Sequence, residues 1–159
     1  MKKTADPIAQ LMQEHDDALL QLKVLNRAVN AFAEDGYSSK YFNQIGAAMK
    51  FIQEEVSVHN HKEEAALFPI LERYVEGPTR IMRNDHKKLK KGFIQLRDAI
   101  KRVEKNRDSF SAIKQLKRIA NSVVQLFVSH IHKENYIIFP LVQQFLSKDE
   151  LREVARKMI

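Results

Sequence analysis

Apolar residues recur along this chain at the three- and four-residue spacing of amphipathic helices, in four long stretches separated by turn-forming breaks. In the first stretch Ile8, His15, Leu22 and Val29 share one seam, and Leu11, Ala18, Leu25 and Phe32 share its neighbour. This is the heptad spacing of helical bundles. Asp6-Pro7 opens the stretch as an N-cap followed by proline at the first helical position, and the helix should run to about Glu34. Asp35-Gly36-Tyr37-Ser38-Ser39 then makes a turn and caps the next helix. The second stretch places Ile45, Ile52, His59 and Ala66 beside Met49, Val56, Glu63 and Ile70. After Gly77-Pro78 the third carries His86, Phe93 and Ile100 beside Met82, Leu89, Leu96 and Val103. Asn106-Arg107-Asp108-Ser109 is the next break, and the fourth stretch sets Leu116, Val123, His130 and Ile137 beside Ala120, Phe127, Glu134 and Leu141.

Pro69 and Pro140 each lack an amide donor and crowd the carbonyl four residues back, so a kink is expected just past Glu63 and Glu134. Ser147-x-x-Glu150 reads as a capping box that opens a short C-terminal helix, about 147–158. The expected fold is therefore all-α: an antiparallel four-helix bundle built as a duplicated helical hairpin, plus that short helix. One domain should span 1–159, with repeat halves at about 6–76 and 77–146.

The duplication is visible in the polar residues. His59-Asn-His-Lys-Glu63 returns 71 residues later as His130-Ile-His-Lys-Glu134, and the same offset relates His15 to His86. All six histidines of the chain (15, 59, 61, 86, 130 and 132) fall in this pattern. A histidine and a glutamate four residues apart stack on one helical face and can serve one site. An ionisable side chain on a buried seam is costly unless it is paired or binds metal. Six such residues, His15, His59, Glu63, His86, His130 and Glu134, interrupt otherwise apolar seams in a two-fold pattern, which a purely structural hydrogen-bond network does not require.

Four imidazoles and two carboxylates suit a pair of first-row transition metal ions, with Glu63 and Glu134 as bridging carboxylates and the histidines as terminal ligands. Iron suits the set best, with manganese or zinc behind it. Each ion is then short of six protein ligands, which leaves room for water or a small exogenous molecule. His61 lies about 200° around the helix from His59. A rival register pairing His61 with Glu64 fails because Asn135 stands at the matching place in the second half. His61 and His132 are therefore expected to face away from the site. Glu55, one turn before His59, Asp85, immediately before His86, and Lys90, one turn after it, are candidates to support the ligands or edge the site.

The chain has no Cys, which excludes disulfides, iron–sulfur ligation and thiol nucleophiles. With no apolar segment after its first lysines and no 18-residue apolar run, it is expected to be a cytoplasmic protein that does not enter membranes. The net charge of +7 is uneven, because residues 80–118 hold fourteen Lys and Arg against four Asp and Glu. Without aromatic interleaving or a recognisable motif, nucleic acid is not the expected partner of that basic face. An acidic protein partner or a homodimer remains open.

These residues carry a resemblance. His15, His59-x-x-x-Glu63 with Glu64 and Leu67-Phe68-Pro69, His86, and His130-x-x-x-Glu134 with Ile138-Phe139-Pro140 resemble the hemerythrin-like HHE cation-binding family, to about residue 145. The resemblance implies a four-helix bundle around a non-haem di-iron centre, two iron ions with an oxo or hydroxo bridge, ligated by His15, His59, Glu63, His86, His130 and Glu134. Oxygen-carrying hemerythrin has a further histidine one turn after its third-helix ligand, where this chain has Lys90, and spaces its last pair as His-x-x-x-x-Asp. The pattern is more similar to bacterial di-iron proteins associated with iron–sulfur cluster repair and nitric oxide stress. Those commonly carry a cysteine-bearing N-terminal domain, and this sequence has no cysteine. The expected function is binding of, and reaction with, oxygen, nitric oxide or peroxide in oxidative or nitrosative stress. Alternatives are an oxygen or iron sensor, an iron-handling module acting through a partner, and reversible oxygen binding.

Overall fold

In the computed structural model of the chain, which describes residues 6–159, the four apolar stretches form four long helical rods. The start Met-Lys-Lys-Thr-Ala, expected to lack an apolar leader, lies outside the described residues. The first rod is α1 (Pro7–Asp35). The second is continuous but irregular: α2 (Ser39–Phe51), a π-helical turn (Ile52–Val56), α3 (Ser57–Lys62), a second π-helical turn (Glu63–Leu67) and α4 (Phe68–Leu71). The third is α5 (Pro78–Lys105). The fourth runs through α6 (Phe110–Lys133), a π-helical turn (Glu134–Ile138) and α7 (Phe139–Phe145), and the short α8 (Lys148–Lys157) comes after it. No strand occurs among the described residues, and no helix is long and apolar enough to cross a membrane.

Local chemistry sets the boundaries where the sequence placed them. Asp6 Oδ1 accepts from the Ile8 amide and Pro7 takes the first turn, where no donor is needed. Gly36, at φ +85°, closes α1 by donating its amide to the Phe32 carbonyl, and Gly77, at φ +102°, opens α5; both conformations favour glycine. Ser147 and Glu150 exchange both bonds of a capping box. Short connections make neighbouring rods antiparallel. The packed pairs α1 with α2, α5 with α6 and α1 with α6 close an all-α bundle.

The expected kinks take a specific form. A π-helical turn begins at each of Glu63 and Glu134 and ends just before the Phe-Pro pair. Phe68 and Phe139 donate their amides to the carbonyls of Glu63 and Glu134, five residues back. The wide turn takes up one extra residue and brings the chain to proline without the carbonyl clash of a regular helix. That extra residue also corrects the fourth seam: Ile137, expected to be buried, is 50% exposed, and Ile138 is fully buried instead. Ile100 and Leu141 are half-buried, while the other apolar seam residues are buried as expected. The π-helical turn Ile52–Val56 has no proline after it and no counterpart in the regular α6; sequence periodicity did not reveal it.

The core is divided into two apolar clusters. One gathers Leu22, Leu25, Phe32, Ile52, Leu96, Leu116 and Phe127; the other gathers Leu11, Leu67, Phe68, Met82, Ile138, Phe139 and Val154. Buried histidines and carboxylates of all four rods lie along the chain where membership passes from one cluster to the other.

Candidate metal centre

His15, His59, Glu63, His86, His130 and Glu134 are all buried, and the bundle brings them together. Their donor atoms form two groups, each with atoms within 4.8 Å of one another: His15, His59, Glu63 and Glu134, and Glu63, His86, His130 and Glu134. Each histidine pair comes from one half of the repeat, and both glutamates belong to both groups, a grouping the sequence left open. Glu63 Oε1 lies 3.2 Å from His59 Nε2 and 3.3 Å from His86 Nε2, between the halves. Glu134 Oε1 lies against His130 Nε2 and 3.7 Å from His15 Nε2. These are ion-pair distances without hydrogen-bond geometry: both oxygens of Glu63 and of Glu134, and Nε2 of His86 and His130, have no hydrogen-bond partner. Burying carboxylates without donors is costly, and a cation held between them removes the cost. The donor set, nitrogen and oxygen without sulfur, fits a pair of first-row metal ions.

The Nδ1 side of each histidine faces an oxygen. His59 Nδ1–H donates to Glu14 Oε1 at 2.8 Å, and Lys62 Nζ donates to the other oxygen of Glu14 at 2.9 Å. Its repeat mate is the same device: His130 Nδ1–H donates to Asp85 Oδ2 at 3.1 Å, and Lys133 clamps that oxygen. His15 Nδ1–H donates to the Asn135 side-chain oxygen at 2.8 Å. His86 Nδ1 faces Glu64 Oε1 at 3.3 Å, off hydrogen-bond geometry. With Nδ1 turned outward, every Nε2 is left for the interior, and at His15, His59 and His130 the Nδ1 bond selects the tautomer a metal needs. Phe139 stacks on His15 with ring centroids 5.4 Å apart, and Phe68 stacks on His86 at 5.9 Å. The phenylalanine before each proline thus packs against a histidine of a neighbouring rod and keeps water from it.

Charge in the interior follows from these contacts. Burial opposes a proton on His59, but Glu63 beside it and the bond to Glu14 outweigh burial and push it up to about 9. Burial would raise Glu63, yet the charge on His59 holds it well below the usual carboxylate range. His130 is pulled down to about 4, chiefly by burial. His15 is lowered by burial and by the charge on His59. His59 Nε2 lies 3.0 Å from His15 Nε2 and 3.2 Å from Glu63 Oε1, and a metal ion must displace the proton held there.

The supporting residues differ in part from expectation. Asp85 holds His130 rather than its neighbour His86. Glu55 is exposed and makes no hydrogen bond to the cluster; Glu14 holds His59 in its place. Glu55 instead lines a cavity of about 30 Å³ that also touches His15, His59, His130 and Glu134. Lys90 is exposed on the wall of a surface groove that reaches Glu64 and His86. His61 and His132 are exposed, facing away from both groups. Glu14, Lys62 and Lys133 were missed, although the repeat offset that relates His15 to His86 also relates Glu14 to Asp85 and Lys62 to Lys133.

The family model described as the Hemerythrin HHE cation binding domain matches residues 6–142. No curated protein sequence matches the chain.

Proposed function

Because this chain belongs to the hemerythrin HHE cation binding domain family, we propose that it holds two iron ions, one in each buried group, and reacts with a small diatomic molecule or peroxide. The observation that carries this reading is the sharing of Glu63 and Glu134 between two four-residue donor groups, with all four carboxylate oxygens unpartnered. Glu63 and Glu134 would hold both ions, and each group would supply two imidazoles. When bound, iron supplies reversible one-electron chemistry and open positions for a small molecule.

The chain's own residues determine what can reach those positions. Glu14, Asp85 and Asn135 orient the imidazoles, and Phe68 and Phe139 exclude water from two of them. The cavity of about 30 Å³ beside His15, His59 and His130 has room for a diatomic molecule or two to three waters, since a water needs roughly 10–15 Å³ by the same measure. Lys90, rather than a further imidazole, follows His86 by one turn, so the centre is not saturated by histidine and favours turnover over reversible carriage. A role in oxidative or nitrosative stress follows from that reactivity.

A second reading, a sensor or iron-handling module read by an acidic protein, draws on the basic groove between α5 and α6, where Lys88, Lys91 and Arg118 are exposed. The test is iron analysis of freshly purified and anaerobically reconstituted protein, then mixing of the reduced form with oxygen, nitric oxide and peroxide. Two irons per chain with consumption of the added molecule supports the reactive reading. Reversible oxygen uptake over repeated cycles overturns it in favour of carriage, and failure to take up iron overturns the centre itself.

A further inference from the structure

Three of the four histidines are hydrogen-bonded at Nδ1 to a side-chain oxygen, and the fourth is not. Glu14 behind His59 and Asp85 behind His130 are equivalent in the repeat, and each is clamped by an equivalent lysine, Lys62 or Lys133. Each of these carboxylate–lysine pairs adds no net charge. The remaining pair of positions breaks the repeat. Asn135, which follows Glu134, gives His15 a neutral amide oxygen at 2.8 Å, whereas Glu64, which follows Glu63, sets a carboxylate oxygen 3.3 Å from His86 Nδ1. That nitrogen is buried and has no hydrogen-bond partner. Among the described residues no lysine or arginine forms an ion pair with Glu64, so its charge is not offset as those of Glu14 and Asp85 are.

We propose that the Glu64/Asn135 difference makes the two metal positions unequal: a divalent cation enters the His86–His130 position first and is held more tightly there, and the His15–His59 position fills second. This rests on the two-metal reading of the site. The physical ground is simple. The unneutralised charge of Glu64, 3.3 Å from His86 Nδ1, attracts a dication, and the neutral amide of Asn135 adds no such charge at His15.

Two binding steps alone would not establish this, because two cations sharing Glu63 and Glu134 repel each other in a symmetric site as well. The response of each step to one residue does. Metal-free protein of residues 1–159 is titrated anaerobically with Co²⁺, with the heat and the visible absorption of the bound ion measured together. Wild type should bind two equivalents in steps separated by about 10- to 100-fold, the usual effect of an outer partner on metal affinity. Glu64→Gln should weaken only the tighter step, by about 10-fold, and Asn135→Asp should tighten only the weaker one. A gain of affinity in Asn135→Asp cannot arise from damage to the fold. Steps that neither variant moves, or that both variants move together, overturn the inference and leave the two-metal reading standing. A wild-type chain that binds fewer than two equivalents overturns both.

Discussion

The two halves of the bundle carry the same ligands in different surroundings. Each contributes a histidine pair, a glutamate on a π-helical turn, a carboxylate–lysine clamp and a phenylalanine stacked on a histidine across the bundle. Around the first half's histidines the structure adds a further π-helical turn, Ile52–Val56, and a cavity whose wall includes Glu55 and Val56 from it. α8 packs over the turn that carries Glu63, with Val154 fully buried. The matching turn of the second half has no such cover: Tyr136 is 69% exposed and Ile137 50%. The difference teaches that a shared set of buried donors requires the duplicated residues to stay alike, whereas the cover around them is free to diverge.

The strongest test removes what the halves share. Glu63→Ala or Glu134→Ala should cut bound iron from about two per chain to well below one, because each carboxylate serves both groups. Loss of a single ion in either variant, measured by metal analysis of folded protein, would mean that the halves are independent sites. Removing what they do not share is milder. His59→Ala should empty chiefly the first group and His130→Ala the second, while His61→Ala and His132→Ala retain both ions. An empty centre in His61→Ala with a full one in His59→Ala would shift the ligand register by two residues.

Acid–base behaviour sharpens the contrast without metal. His59, raised from 6.5 to about 9, stabilises the metal-free fold fully below pH 6.5, and that contribution, on the order of 3 kcal/mol, disappears as pH rises through about 9. His130, lowered to about 4, has the opposite sign and destabilises the fold progressively as pH falls from 6.5 towards 4. Denaturant unfolding of metal-free His59→Gln should therefore flatten the alkaline limb of the stability profile, and His130→Gln the acid limb. Matching profiles for the two variants would abolish the electrostatic difference. The smallest effect concerns cover. Val154→Ala should cost about 2 kcal/mol, because its side chain is buried against the first half. Ile137→Ala, on the uncovered turn, should change stability by less than about 0.5 kcal/mol. Equal losses in thermal or denaturant unfolding would show that the second turn is covered in solution.

The sequence by itself determined the helices, the caps at Asp6 and Ser147 and the six inward residues, whereas Ser38 makes no side-chain cap bond to the second rod. Heptad seams, Asp6-Pro7, Gly36, Gly77 and Ser147-x-x-Glu150 act within one or two turns of chain, so their physics is local. The repeat also held more than was drawn from it, since Glu14 stands to Asp85 as His15 stands to His86. Only the tertiary structure decided which histidines share a group, that Asp85 serves His130 and not its neighbour, that Glu14 displaces Glu55 as the partner of His59, and that Asn135 and Glu64 each reach a histidine of the other half. These contacts cross between rods, and periodicity along one helix carries no information about which face of another it meets. The π-helical turns lie between the two cases. Proline announced an irregularity at two places, but its width, and the one-residue shift that exposes Ile137, came from helices packing on either side. The turn at Ile52–Val56 has no proline to mark it, and its buried residues are Ile52 and Val56.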